Sequence, residues 1–180
     1  MNYCSQCGQA LVVKIPPGDH LPRHVCPHCG AIHYQNPKLV VGCVCEWHGK
    51  VLLCRRAIEP RAGFWTLPAG FMENDETVEQ GAARETREEA LADAEDPQPL
   101  ALVNVPHVNQ VHLMFRAGLR DGRFGAGAES LEAALFEERE IPWDEIAFPS
   151  VRYTLERFFE DRQHGEFGFH ISTWQKPVSG

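Results

Sequence analysis

Two short runs of consecutive apolar residues open the central part of the chain. The first covers Leu39–Cys45 and the second Val51–Cys54, with the glycine-containing stretch Trp47–Lys50 between them. Short apolar runs on either side of such a stretch are typical of a β-hairpin. The pattern therefore predicts two paired strands whose three cysteines are buried as small apolar side chains.

Two later segments have the pattern of helices. The first covers Asp75–Ala92, with Asn74 or Asp75 as its N-cap and acidic residues in its first turn. Residues 93–99, which contain two prolines, are expected to end it. The second covers Ser150–Gln163, where apolar residues recur at the spacing of one helix face. We therefore expect two helices, the second with one side buried.

The segments between and after these helices are less regular. Leu100–Val105 and Val111–Ala117 are predicted as strands, and the glycine-rich stretch Gly118–Gly127 as a flexible loop. The pattern of Leu131–Phe136 fits a strand or a helix, so both remain open. The stretch Gly165–Gly180 is expected to be irregular.

The N-terminal stretch carries four of the seven cysteines, arranged as two C-x-x-C pairs. They are Cys4, Cys7, Cys26 and Cys29. This spacing is typical of a zinc-ribbon site, in which four thiolates bind a structural Zn²⁺ ion. Two disulfides or a redox dithiol are the alternatives, and an intracellular setting disfavours disulfides. We therefore expect a small zinc-ribbon β module over residues 1–36 and a second domain over residues 37–180.

Composition and charge exclude several classes of protein. The chain has 180 residues, 43% of them hydrophobic, and 17 Lys and Arg against 25 Asp and Glu give a net charge of −8. An acidic chain is a poor general binder of nucleic acids or anionic membranes. We find no apolar run of the roughly 20 residues that a membrane helix needs and no secretory signal. We therefore expect a globular cytoplasmic protein.

Three carboxylates recur at helical spacing in the first predicted helix. Glu85, Glu88 and Glu89 stand at positions i, i+3 and i+4, so one helix face carries all three. Like charges on one face repel each other, and a divalent cation such as Mg²⁺ would relieve the repulsion. Considered by itself, the triplet is explained equally well as a solvated acidic face with Arg84 and Arg87 as partners.

The residues before the triplet extend it to a longer pattern. It resembles the Nudix box, G-x5-E-x7-R-E-U-x-E-E-x-G-U, in which U is a bulky aliphatic residue. The matching residues are Gly70, Glu76, Arg84, Glu85, Glu88 and Glu89. Thr86 departs from the pattern where an aliphatic residue is usual, and Leu91 where it has glycine. Both departures concern packing and the helix end rather than the carboxylates.

The resemblance implies an α/β fold, an α/β/α sandwich around a mixed sheet, that hydrolyses a diphosphate linked to a nucleoside. By position in the motif, the three glutamates of the triplet would hold Mg²⁺ or Mn²⁺, with the backbone carbonyl of Ala69 as a further ligand. Glu76 and Arg84 match positions that orient the loop and the helix. Family habit also suggests a homodimer.

A zinc ribbon before a Nudix domain resembles two groups: NADH pyrophosphatases, and a shorter group associated with FAD and ADP-ribose. The NADH group carries a motif like S-Q-P-W-P-F-P-x-S after the box, and Leu100–His112 lacks it. The stretches His33–Pro37, Leu53–Ala57 and Glu140–Phe148 resemble the shorter group. FAD or ADP-ribose, cleaved to release AMP, is therefore the expected substrate. NADH or NAD hydrolysis and a noncatalytic zinc-ribbon interaction module are the alternatives.

Candidate substrate-binding residues are Arg56, Phe64, Trp65 and His107. The aromatic residues could stack on a base, although an aromatic beside a Gly-Pro loop is at least as often part of a core.

A fourth carboxylate is expected from outside the box, as a metal ligand or general base. Glu129 is the first choice, because it resembles the catalytic glutamate of NADH pyrophosphatases in its distance from an aromatic-ended segment. Glu132 is the second choice, and Glu137 and Glu138 are interpreted as a solvated pair.

Overall fold

A computed structural model describes residues 1–175. The chain divides into two compact units, the first over Met1–Pro37 and the second from Lys38 onwards. Each unit is described by itself. In the described part of the chain, no helix has both the length and the apolar character needed to cross a membrane.

The first unit is a small antiparallel sheet. Its strands are β1 (Val12–Lys14), β2 (Arg23–Val25) and β3 (Ile32–His33), with β2 in the centre. The turn between β1 and β2 forms at Pro16–Asp19, where Gly18 has a φ of 83° and the Asp19 amide donates to the Pro16 carbonyl at 3.1 Å. The Asp19 carboxylate then accepts a hydrogen bond from Arg23 Nε at 2.8 Å, which ties the turn to β2.

The second unit is built on a mixed sheet. Its strands in chain order are β4 (Lys38–Trp47), β5 (Lys50–Arg56), β6 (Trp65–Thr66), β7 (Ala69–Phe71), β8 (Ala94–Val105), β9 (Gln110–Leu119), β10 (Ser130–Phe136) and β11 (His170–Thr173). The spatial order is β10-β5-β4-β9-β8-β11, with β6 paired to β5 and β7 to β4. The pairs β4–β9 and β8–β11 are parallel, and the others are antiparallel.

A helix covers each face of this sheet, which confirms the expected α/β/α sandwich. Helix α1 (Val78–Ala90) packs on the face that carries Cys43 and Cys45, and helix α2 (Pro149–His164) packs on the face that carries Val44. Strands buried on both faces are apolar throughout rather than alternating. This explains the continuous apolar runs of the β4–β5 hairpin and the burial of its three cysteines.

The start of α1 differs from the expectation. The N-cap is Thr77 rather than Asn74 or Asp75, because the Thr77 hydroxyl accepts a hydrogen bond from the Gln80 amide and the Gln80 side chain accepts one from the Thr77 amide. This reciprocal pair is a capping box. The helix ends at Ala90 rather than Ala92.

Three further expectations are corrected or resolved. Residues 93–99 do more than end the helix, because β8 already begins at Ala94 and pairs with the far end of β9. The segment left open as strand or helix is the strand β10, paired with β5. The C-terminal stretch expected to be irregular contains β11, paired with β8, and residues 176–180 lie outside the described residues.

Candidate active site and metal centre

The four predicted zinc ligands come together in the first unit. The Sγ atoms of Cys4, Cys7, Cys26 and Cys29 all lie within 4.8 Å of one another. Zn–S bonds of about 2.3 Å would place neighbouring thiolates of a tetrahedral site about 3.8 Å apart. The Cys4–Cys29 and Cys7–Cys26 Sγ pairs are 3.7 Å and 3.5 Å apart, so the cluster has the size of a four-thiolate zinc site.

The two C-x-x-C turns have the same backbone geometry. The amide of Gly8 donates to the Cys4 carbonyl at 2.9 Å, and the amide of Gly30 donates to the Cys26 carbonyl at 3.0 Å. These glycines have φ values of 74° and 77°, a left-handed conformation that favours glycine. Two equivalent turns thus contribute two thiols each to the same cluster.

The second unit contains a cleft of about 1220 Å³. Its walls include α1, β7, the segment before β10, the turn after β8 and the start of α2. Small-molecule sites usually measure about 300–1,000 Å³. The cleft therefore has room for a ligand with two bulky parts.

Glu85, Glu88 and Glu89 line one part of this cleft. A Cβ at Gly70 would overlap the Glu85 carboxylate, so the glycine of the box is needed for this close approach. Glu89 accepts a hydrogen bond from the amide of Ala69 at 3.0 Å, which fixes its carboxylate against the start of β7.

Burial disfavours the charged form of two of these carboxylates and so raises their pKa. It raises the pKa of Glu85, although Arg84 opposes the shift. It raises the pKa of Glu89 to about 7, although the hydrogen bond from Ala69 opposes the shift. The charge of Glu129 adds to the rise at both groups, so Glu129 lies close to them. A divalent cation bound among these oxygens would favour their charged forms, so the donor set fits a hard divalent cation.

Arg84 holds the acidic cluster in place. Its Nε and Nη2 donate to the two carboxylate oxygens of Glu76 at 3.0 Å and 2.9 Å, and Nη2 also donates to the Phe71 carbonyl at 3.1 Å. Its Nη1 donates to Glu85 at 2.7 Å and to Glu88 at 3.1 Å. The paired guanidinium lowers the pKa of Glu76 to about 2. Arg84 therefore joins the loop after β7 to the carboxylates of the helix.

Both departures from the box have a local explanation. The Thr86 side chain is fully buried, and its hydroxyl donates to the Ala82 carbonyl at 2.9 Å, so the polar group has its own partner inside the helix. Leu91, at the position of the glycine, has a φ of 47°, the left-handed C-cap conformation that glycine adopts with less strain. Neither departure disturbs the carboxylates.

The glycine-rich stretch after β9 is anchored, contrary to the expected flexible loop. The amide of Gly125 donates to the Ala90 carbonyl at 2.8 Å, and the amide of Gly127 donates to the Glu89 carbonyl at 3.0 Å. A Cβ at Gly127 would overlap the carbonyl oxygen of Glu88. The stretch therefore packs on the last turn of α1 and brings Glu129 to the cleft.

The other candidate carboxylates lie elsewhere. Glu132 is exposed on β10 opposite Arg55, and it does not line the cleft. Glu137 pairs with Arg139 at 2.9 Å, and neither it nor Glu138 lines the cleft. Among the candidates outside the box, the structure brings Glu129 to the triplet.

The substrate-binding candidates divide into two pairs. Arg56 and His107 line the cleft, whereas Phe64 and Trp65 do not. Trp65 is 7% exposed and packs edge-on against Phe136, so burial in the core removes it from the site. The Phe64 ring lies under the guanidinium of Arg61. For Trp65 the alternative of a core residue is the better description, whereas Phe64 is partly buried beside Arg61.

Sequence reasoning missed several residues of the cleft. They are Arg61, Gln110, His112, Phe148, Ser150 and Trp174. Arg61 stands three residues before the predicted Phe64, inside a Gly- and Pro-rich stretch, so its position was a usable signal. Trp174 follows β11, which no local pattern indicated.

The family models match both units. The zinc-ribbon model described as Nudix N-terminal matches residues 2–35, and the NUDIX domain model matches residues 36–160. Among solved structures, a Nudix hydrolase from Nitrosomonas europaea has a TM-score of 0.95 at 55% sequence identity, covering 98% of this chain and 100% of that chain.

Two curated relatives are similar to parts of the chain. The NAD-capped RNA hydrolase NudC of Stutzerimonas stutzeri is 29% identical over 164 residues, which cover 89% of this chain and 57% of the relative. The ADP-ribose pyrophosphatase of Methanocaldococcus jannaschii is 30% identical over 116 residues, which cover 61% of this chain and 67% of the relative. The chain thus spans little more than half the length of the NudC relative. On the match of the NUDIX model and the geometry of the box, the chain belongs to the Nudix hydrolase family.

Proposed function

We propose that this protein hydrolyses the diphosphate bond of a nucleoside diphosphate derivative, with FAD or ADP-ribose preferred and AMP as one product. The observation that carries the proposal is the meeting of four carboxylates, those of Glu85, Glu88, Glu89 and Glu129, in a cleft large enough for a two-part ligand. Family membership supports the reaction class.

The proposed roles follow from the contacts of each residue. Glu85, Glu88 and Glu89, together with the Ala69 carbonyl, would hold Mg²⁺ or Mn²⁺. When bound, such cations neutralise a diphosphate and activate water for attack at phosphorus. Arg84 keeps the carboxylates in position through its hydrogen bonds.

Arg56 is the candidate for binding the negative charge of the substrate. Arg56 lines the cleft, and its charge opposes the rise in the pKa of Glu89, so it lies near the carboxylates. Its Nε donates to the Pro60 carbonyl at 2.9 Å, which leaves the guanidinium anchored at one edge. We assign Arg56 to the binding of substrate phosphate.

Glu129 is proposed as the fourth metal ligand or the general base. Its replacement by glutamine is expected to lower kcat by about 10²-fold or more at saturating Mg²⁺, because it removes the charge without changing the size of the side chain. Unfolding curves should stay close to wild type, since the side chain is exposed.

Glu132→Gln is the matched control, because Glu132 is exposed on the adjacent strand outside the cleft. Turnover by Glu132→Gln should equal wild type. If Glu129→Gln turns over normally while Glu132→Gln does not, the role belongs to Glu132.

A substrate panel tests the proposed activity. Purified protein with Mg²⁺ is offered FAD, ADP-ribose, NADH, NAD and nucleoside triphosphates, and the products are separated by chromatography. We expect the highest kcat/KM for FAD or ADP-ribose, with AMP released from either. A clear preference for NADH or for a triphosphate would contradict the proposed substrate, and no turnover of any compound would favour a noncatalytic interaction module.

NADH or NAD hydrolysis is the second candidate. The similarity to the NudC protein of Stutzerimonas stutzeri, which covers most of this chain, favours it. The missing S-Q-P-W-P-F-P-x-S motif between Leu100 and His112 disfavours it. The panel compares the two candidates directly.

For the first unit we propose a structural Zn²⁺ ion, because four cysteine ligands leave no open coordination position. His33 Nε2 lies 3.3 Å from Cys4 Sγ, so the imidazole can donate a hydrogen bond to a bound thiolate.

A further inference from the structure

An aromatic pair lines the cleft from segments of the chain that do not carry the carboxylates. Trp174 follows β11 and His107 lies in the turn after β8, and both line the cleft. Their ring centroids are 4.6 Å apart, and the ring planes are inclined at 66°. The edge of one ring therefore meets the face of the other.

The backbone of Trp174 is held by the sheet. Strand β11 runs parallel to β8, with Thr173 opposite Asn104, and the Trp174 amide donates to the Asn104 carbonyl at 2.9 Å. The Asn104 side-chain amide also donates to the Ser172 carbonyl at 3.1 Å. These bonds hold the backbone up to the amide of Trp174, so the indole is presented from the end of a paired strand.

Trp174 does not serve as a core residue. Neither hydrophobic core of the second unit includes it, and its aromatic neighbour His107 is exposed. Trp143 and Phe148, by contrast, pack against the α2 core. Trp174 is partly exposed and lines the cleft, so its ring can contact a ligand bound there.

We infer that Trp174, with His107 beside it, is the platform on which the base of the nucleoside diphosphate substrate stacks. The inference rests on the proposed function and names the residue that binds the nucleoside part of the ligand. Flat heteroaromatic bases stack well on indole rings, and such contacts are sequence-tolerant because every base has a π-face. The platform therefore provides affinity for the nucleoside while the carboxylates act on the diphosphate.

A binding experiment with two ligands tests the platform apart from catalysis. AMP carries the base and ribose 5-phosphate lacks it, and their dissociation constants are measured in the presence of Mg²⁺ for wild type and Trp174→Ala. Loss of stacking should weaken AMP binding by about 10-fold or more and leave ribose 5-phosphate binding unchanged. Trp174→Phe keeps an aromatic face and should bind AMP within about 3-fold of wild type.

Two further readouts separate stacking from a structural role. AMP should quench the tryptophan fluorescence of wild type and not that of Trp174→Phe, since the other three tryptophans do not line the cleft. With ADP-ribose as substrate, Trp174→Ala should raise KM and leave kcat within about 3-fold. Phe169→Ala is the matched control, because Phe169 is a half-exposed aromatic of the same segment outside the cleft.

Equal AMP affinity in wild type and Trp174→Ala would overturn the platform, and so would an equal loss of affinity for AMP and ribose 5-phosphate. Normal turnover of ADP-ribose with unchanged AMP affinity would overturn the platform alone. If no substrate is hydrolysed and Trp174→Ala still loses AMP selectively, the proposed hydrolysis fails and the platform stands.

Discussion

Replacing Glu88 by glutamine is expected to lower kcat by about 10³-fold, because it removes one charged ligand of the proposed metal ion and several kcal/mol of transition-state stabilisation with it. Folding should change little. The Glu88 side chain is 61% exposed, and it accepts a hydrogen bond from Arg84 across one helical turn. Exposed pairs of this kind contribute about 0.5 kcal/mol. Steady-state kinetics at saturating Mg²⁺ and thermal unfolding measure the two effects.

Glu79→Gln is the control, because Glu79 is exposed on the same helix and does not line the cleft. Its kcat should match wild type. A Glu88→Gln enzyme that retained more than a tenth of wild-type kcat would show that the triplet does not hold the catalytic cation as proposed.

Replacing Cys26 by serine is expected to abolish tight zinc binding and unfold the first unit. Loss of a hydrogen-bonding partner behind a metal ligand already costs about 10–100-fold in affinity, so loss of a thiolate itself should cost more. Residues 1–37 contain little apolar core, because the buried hydrophobic residues there are Cys4, Val25 and Cys26. A metal ion bound by the four thiolates, as proposed, would therefore provide much of the folding free energy of this unit. Zinc analysis should find about one ion per wild-type chain and far less in the variant.

His28→Ala provides the comparison, because His28 lies between Cys26 and Cys29 and is exposed. It should keep the zinc and the amide-exchange protection of residues 1–37. All residues that line the cleft belong to the second unit, so Cys26→Ser should lose stability before it loses kcat. A metal-free wild type with full protection of the first unit would contradict the structural role.

Local spacing predicted which cysteines and which box carboxylates come together in the two candidate sites. The two C-x-x-C pairs and the Nudix box are short motifs in which residue identity determines geometry within one turn or one helix. Thr77 and Gln80 also form a local signal, the T-x-x-Q of a capping box, although Asn74 or Asp75 is the cap expected from the sequence. This error moved the start of α1 by three residues without moving the carboxylates.

The parts that sequence could not predict depend on long-range pairing. Trp174 reaches the cleft only because β11 pairs with β8, some 70 residues earlier in the chain. The sequence makes Trp65 a plausible contact for the ligand. In the structure, Phe136 from a distant strand packs against Trp65, which is part of the core. The resemblance predicts Glu129. Its position beside the cleft depends on the contact of Gly125 and Gly127 with the end of α1, which the sequence does not show.

That contact also governs how the site can open. The amides of Gly125 and Gly127 occupy the carbonyls of Ala90 and Glu89, so the last turn of α1 cannot fray unless the glycine-rich stretch detaches with it. Local opening of this kind proceeds in contiguous cooperative units. We therefore expect the glutamates of α1 and Glu129 to belong to one such unit, so that a cation bound by both segments, as proposed, would slow hydrogen exchange in both together.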